Sequence, residues 1–158
     1  VFAVLVAISA FQTVTLQESA MEPTYSVSEK FFVNRALYKV SSPKRGDVIV
    51  FKTSASDSAA LHIRRVIGLP GETVQVKDGK IYINGKVYEE NGAYQDMTDG
   101  GLANSAITLE SEEYFVLGDN RNNSEDSRFS DIGNISKKYI VGKVWFTVSP
   151  KNKIGFIK

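Results

Sequence analysis

Short stretches rich in β-branched and aromatic residues recur along the chain, and none keeps a 3.6-residue apolar period for longer than two helical turns. The clearest are FFV (31–33), DVIVFK (47–52), IRRVIGL (63–69), TVQVK (73–77), KIYING (80–85), YFVLG (114–118) and VGKVWFTV (141–148). Turn formers separate them: Pro23, Pro43 with Gly46, Pro70-Gly71, Asp78-Gly79, Asn84-Gly85 and Gly100-Gly101. Asp-Gly and Asn-Gly between β-rich runs favour type I′ hairpin turns, whose two central residues both need positive φ. TVQVKDGKIYINGKVYEE therefore predicts a meander of three short strands. The whole pattern predicts a mainly β domain of antiparallel coiled sheets or a partly open barrel. Glu89 to Ala106, polar and rich in Gly, Asn and Asp, reads as a surface excursion between strands.

The N-terminus breaks the pattern. VFAVLVAISAF, residues 1–11, carries no charge. A bilayer span needs about 20 apolar residues, so this run does not cross by itself. It fits either the outer end of an anchor helix that starts before residue 1 or a first strand. The expected division is thus an anchor stub or strand over 1–11 and one β domain over 12–158.

Composition narrows the chemistry. The 158 residues are 42% apolar and 23% charged, a globular balance, with a net charge of only +1. Nucleic-acid binding requires a marked basic excess, so no nucleic-acid partner is expected. The absence of cysteine excludes disulfides and thiolate metal sites, and the single histidine, His62, excludes a His-rich one. No metal or cofactor is expected, and His62 reads as a partly buried strand residue.

Four blocks, in order, carry a resemblance: SAMEPT (19–24), PKRGDVIVFK (43–52), IRRVIGLPGETVQVKDGKIYINGK (63–86) and GDNRNNSEDSR (118–128), followed by IVGKVWF. Together they resemble the type I signal peptidases, membrane-anchored serine endopeptidases with a Ser/Lys dyad. A serine hydroxyl needs a nearby base to attack a peptide. A lysine serves when burial lowers its pKa from about 10.4 toward neutrality. In that family the nucleophile precedes the Met of the first block, and the base is the first of two cations in the third. Those positions here hold Ala20 and Arg64. Alanine has no nucleophile, and a guanidinium keeps its proton. Loss of the serine in a comparable protease costs roughly a million-fold in rate. The resemblance therefore implies an inactive member.

A third departure is Glu18, where the family usually has Gly or Ser beside the oxyanion site. A carboxylate there repels developing negative charge. Glu18 and Arg64 are expected to pair across the old cleft. Ser19 is a weaker candidate nucleophile: on a strand, a shift of one residue turns the side chain to the opposite face. By resemblance, Ser124 supports the dyad, Asp126 and Arg128 form a structural salt bridge, and Met21, Pro23 and Glu18 face substrate.

Dyad-lacking relatives are associated with pilus assembly in Gram-positive bacteria. The implied role is a single-pass membrane protein with its domain on the extracytoplasmic side, binding an extended secreted polypeptide or pilin. The competing reading is a working signal peptidase disabled by engineering at Ala20 and Arg64, which leaves Glu18 unexplained. Residues 1–11 are also a ready apolar ligand for the groove of a second copy.

Overall fold

The computed structural model of the chain describes residues 10–157. Strands β3 (Val48–Phe51) and β4 (His62–Gly68) form the centre of the larger sheet, and every residue of β3 is buried. The reason is that both faces are covered. Val48 and Val50 pack on one side with Phe31, Val33 and Met21, while Ile49 and Phe51 pack on the other with Val66, Tyr114 and Val116. A strand buried on both faces reads as a continuous apolar run, which is what VIVF is.

Outward from this pair lie β1 (Phe11–Thr15), β2 (Lys30–Asn34), β9 (Glu113–Leu117), β10 (Ile135–Ser136) and the long β11 (Ile140–Ser149). The order across the sheet is β1-β2-β11-β3-β4-β9-β10, all antiparallel, with the short β12 (Gly155–Phe156) added to β11. Register shifts in β11 and β4 mark bulges, which bend and twist a sheet toward partial closure.

The predicted meander forms a separate sheet. Strands β5 (Thr73–Lys77), β6 (Lys80–Ile83) and β7 (Lys86–Val87) run antiparallel, and β8 (Ile107–Thr108) joins the free edge of β5. Asp78 and Gly79 take φ of 51° and 74°, Asn84 and Gly85 50° and 79°, as type I′ turns require. This sheet closes over Ile67, Phe115 and Leu117 through Val74, Val76 and Ile81. The excursion over 89–106 is fastened to the same core by buried Met97 and Ala103 and by a Glu90–Arg121 ion pair.

The short α-helix α1 (Leu37–Val40) follows β2, Ala10 is helical just before β1, and no helix among the described residues is long and apolar enough to cross a membrane. The anchor expectation for 1–11 falls, through residue 9, outside the described residues; Phe11 opens β1.

Candidate active site

After β1 the chain stays extended at Glu18 (φ −118°, ψ 149°) and then tightens into a 3-10 turn, Ser19–Met21. Apolar side chains set the turn's orientation: Ala20 and Met21 are buried, and Ser19 is left at the rim. The segment Gly118–Glu125 holds the turn from across the cleft. The Asn120 backbone N–H donates to the Ala20 carbonyl at 2.9 Å, and Asn120 Nδ2 to the Ser19 carbonyl at 3.2 Å. Gly118 permits this approach, because a Cβ there would collide with the Ala20 carbonyl and the Ser124 side chain.

Strand alternation places His62 and Arg64 on one face of β4, and both reach Glu18. Arg64 Nη1 donates to Glu18 Oε2 at 2.5 Å, and His62 Nδ1 lies 2.8 Å from Glu18 Oε1. The Arg64 side chain is 1% exposed, and its other contacts are equally committed. Nε donates to the Glu125 carbonyl at 2.7 Å and Nη1 also to the Ile63 carbonyl at 2.7 Å. Burial alone raises the Glu18 carboxyl pKa, but the hydrogen bonds from His62 and Arg64 outweigh it and hold it at about 2. Glu18 is thus anionic throughout the neutral range. The expected ion pair across the cleft is present.

The cleft has a volume of about 540 Å³, and its walls include Glu18, Ser19, Ala20, Arg64, Ser124 and Phe129. It brings together the positions that the resemblance assigns to nucleophile, base and supporting serine, but not a nucleophile paired with a base. Ala20 offers a methyl group. The Ser124 hydroxyl is buried and has no hydrogen-bond partner among the described residues, Arg64 included. Among the described residues, Ser19 Oγ meets only the Asn123 amide, which donates to it at 3.4 Å. Because Ser19 opens a 3-10 turn rather than lying on a strand, the alternation that was expected to turn it away does not apply; it reaches the cleft but finds no base there.

Buried arginines brace the cleft wall. Arg128 binds Asp126 bidentately (Nε–Oδ1 2.8 Å, Nη2–Oδ2 2.9 Å), and Arg65 binds Asp119 in the same way (2.9 and 2.7 Å). Arg121 Nη1 and Nη2 both donate to Glu90 at 2.6 Å, with the guanidinium 4.2 Å from the Tyr94 ring. Asp126 also accepts from the Gly118 N–H at 3.1 Å, which ties the brace to the segment that clasps Ala20.

Two residues expected to face substrate are elsewhere. Met21 is 0% exposed, within the core formed by Val14, Phe31 and Val33, so it presents no surface to a peptide. Pro23 is exposed beside a different depression, with Arg45 and Tyr94. Glu18 does border open space on a second side. A groove of about 440 Å³ runs along β1 past Thr13, Thr15, Gln17 and Glu18, with Leu61 opposite. The part of the cluster that a motif reading overlooked is His62; the signal was its i, i+2 spacing from Arg64 on one strand face.

A profile of the family described as "Signal peptidase, peptidase S26" matches residues 1–149. The signal peptidase I of Bacillus amyloliquefaciens is 37% identical over 164 residues, covering 98% of this chain and 84% of that protein. The probable signal peptidase I-2 of Synechocystis is 32% identical over 146 residues; the match takes in 90% of this chain and spans 65% of the cyanobacterial protein. Among solved structures, a signal peptidase I from Enterococcus faecalis superposes with a TM-score of 0.53 at 31% identity, over 66% of this chain and 98% of that one.

Proposed function

The chain belongs to the peptidase S26 signal peptidase family, and from that premise we propose that it holds an extended polypeptide without cutting it. The observation that carries this reading is the Glu18 carboxylate clamped between His62 and Arg64. The cluster occupies the place where the family's dyad chemistry requires an unprotonated base and a site friendly to an oxyanion.

Binding survives the loss of chemistry because it draws on a different part of the domain. Among the described residues, strand β1 is the edge of the larger sheet and pairs only with β2. The Leu16 N–H donates to the Glu29 carbonyl, and the Ala10 carbonyl accepts from the Arg35 N–H, so even-numbered residues face β2. By alternation Thr13 and Thr15 turn their backbone N–H and C=O outward, into the groove beside Leu61. An incoming strand finds main-chain partners there, which supply affinity independently of side chains in the cleft. The partner in this reading is a secreted polypeptide, a pilin in a Gram-positive bacterium, met at the outer face of the cell membrane where an apolar N-terminal segment tethers the domain.

Thr13→Pro tests the groove. It removes an outward donor while leaving the β1–β2 ladder its partners, as proline on a sheet edge does. Loss of one main-chain bond and the added ring are expected to weaken binding of an extended peptide by roughly tenfold, at about 1.4 kcal/mol per decade, with the melting temperature little changed. Unchanged affinity, measured by fluorescence anisotropy, would remove the β1 edge from the account.

A further inference from the structure

A second cleft, of about 620 Å³, lies away from the dyad positions and is lined by Arg35, Lys39, Lys52, Lys137, Lys138 and Tyr139 among others, with no carboxylate side chain in its wall among the described residues. We propose that it binds the phosphate-bearing headgroup of an anionic phospholipid. This inference does not rest on the peptide-binding role.

A concentration of cations without a carboxylate distinguishes this cleft from the other described clefts, each of which has a Glu in its wall. The buried arginines and several surface lysines hold carboxylates. The five cations of the cleft hold none among the described residues. Lys137 Nζ reaches only the Ser42 hydroxyl at 3.2 Å, Lys52 Nζ only the Ser56 carbonyl at 3.4 Å, and Lys138 lies over the Tyr139 ring at 4.9 Å. Asp47, which accepts from the Tyr38 hydroxyl of the wall, is also engaged by Lys143, both at 2.7 Å. Lys52 and Lys137 are half-buried, which makes their mutual repulsion less screened than between exposed lysines. A dianionic or diester phosphate relieves that repulsion and suits a wall combining ammonium groups with one guanidinium fork.

Position selects the lipid over a soluble anion. Arg35 follows β2, and its backbone N–H donates to the carbonyl of Ala10, directly after the apolar run Val1–Ser9. The cleft therefore opens at the end of the domain where that run joins it. On the same short helix as Lys39, Val40 is 89% exposed, and Tyr38, Tyr139, Ile140 and Val141 supply an amphipathic lining. Cations around such a lining match a headgroup layer, where each Lys or Arg near an anionic surface is worth roughly fivefold in partitioning.

The test is co-sedimentation of the 158-residue chain with phosphatidylcholine vesicles, alone or with about a third phosphatidylglycerol, at ~0.1 M salt. The anionic lipid is expected to raise binding at least tenfold. Lys137→Gln/Lys138→Gln is expected to remove roughly ten- to thirtyfold of that binding. Lys77→Gln/Lys86→Gln, which deletes the same charge from the exposed small sheet, is expected to change it less than twofold. Equal binding to both vesicles overturns the proposal, as does an equal loss in the two variants, which would mean diffuse attraction. A saturable rise in melting temperature with inorganic phosphate, lost in the Lys137/Lys138 variant and unaccompanied by any vesicle preference, would reassign the cleft to a soluble anion.

Discussion

Ala20→Ser/Arg64→Lys, which restores both dyad residue types, is expected to show no cleavage of a signal-peptide-bearing substrate above background. The lysine introduced at position 64 takes its place beside the Glu18 carboxylate, which now sits 2.5 Å from Arg64 Nη1. An opposite charge at that range favours the ammonium form, and an ammonium takes no proton from serine. Adding Glu18→Ser removes the anion and leaves the lysine in a site where Arg64 is 1% exposed. Burial then lowers its pKa, and the unpartnered Ser124 hydroxyl is at hand to orient it. The triple variant is expected to exceed the double by at least about a thousand-fold, within the range that general base and nucleophile supply together. A double variant as active as the triple would show that Glu18 does not silence the site, and would favour an enzyme disabled only at Ala20 and Arg64. Peptide products resolved by mass spectrometry distinguish these results.

Asp126→Ala is expected to carry the largest loss of stability. The carboxylate is 0% exposed and Arg128 is 2% exposed, so its removal leaves a guanidinium in the interior with no countercharge. The Gly118 N–H loses its acceptor at the same time. Two carbonyls still receive Arg128, Asp99 at 2.9 Å and Arg121 at 2.7 Å, which limits the damage without neutralising the charge. Breaking such a pair costs about 3–5 kcal/mol. For a domain of this size that lowers the melting temperature by roughly 6–20 °C, measurable by circular dichroism. Lys80→Ala, at a pair whose side chains are 56% and 62% exposed, is expected to shift it by no measurable amount. A drop of less than about 2 °C for Asp126→Ala would mean that the brace is not what positions Gly118 and Ser124.

The elements that local chemistry determines were legible in the sequence. Asp78-Gly79 and Asn84-Gly85 gave the meander outright, because few other residues accept two successive positive φ values. VIVF and IRRVIG were recognisable as strands, though not that both their faces are covered, which depends on strands far away in sequence. That the meander forms a sheet of its own was likewise hidden, since a local pattern does not say which edges remain unpaired. In the cleft, Glu18 and Arg64 suggested each other by charge. His62 shares a strand face with Arg64 by its i, i+2 spacing, but its contact with Glu18 spans 44 residues and Arg121 meets Glu90 across 31, separations at which a local pattern names neither partner. Met21 shows the opposite problem. Its motif suggested a surface role, but the 3-10 turn that buries Ala20 also carries Met21 into the core, and only the turn's geometry decides that.

The central claim, binding without cleavage, is tested most directly by one titration. A fluorescent extended peptide with small residues at alternate positions is mixed with excess protein, anisotropy is followed to saturation, and the mixture is then analysed for fragments. Saturable binding with the peptide recovered whole is the expected result. Any protein-dependent fragment would contradict the assignment of Ala20, Arg64 and Glu18 to a silent site, and a flat anisotropy curve would contradict the β1 groove.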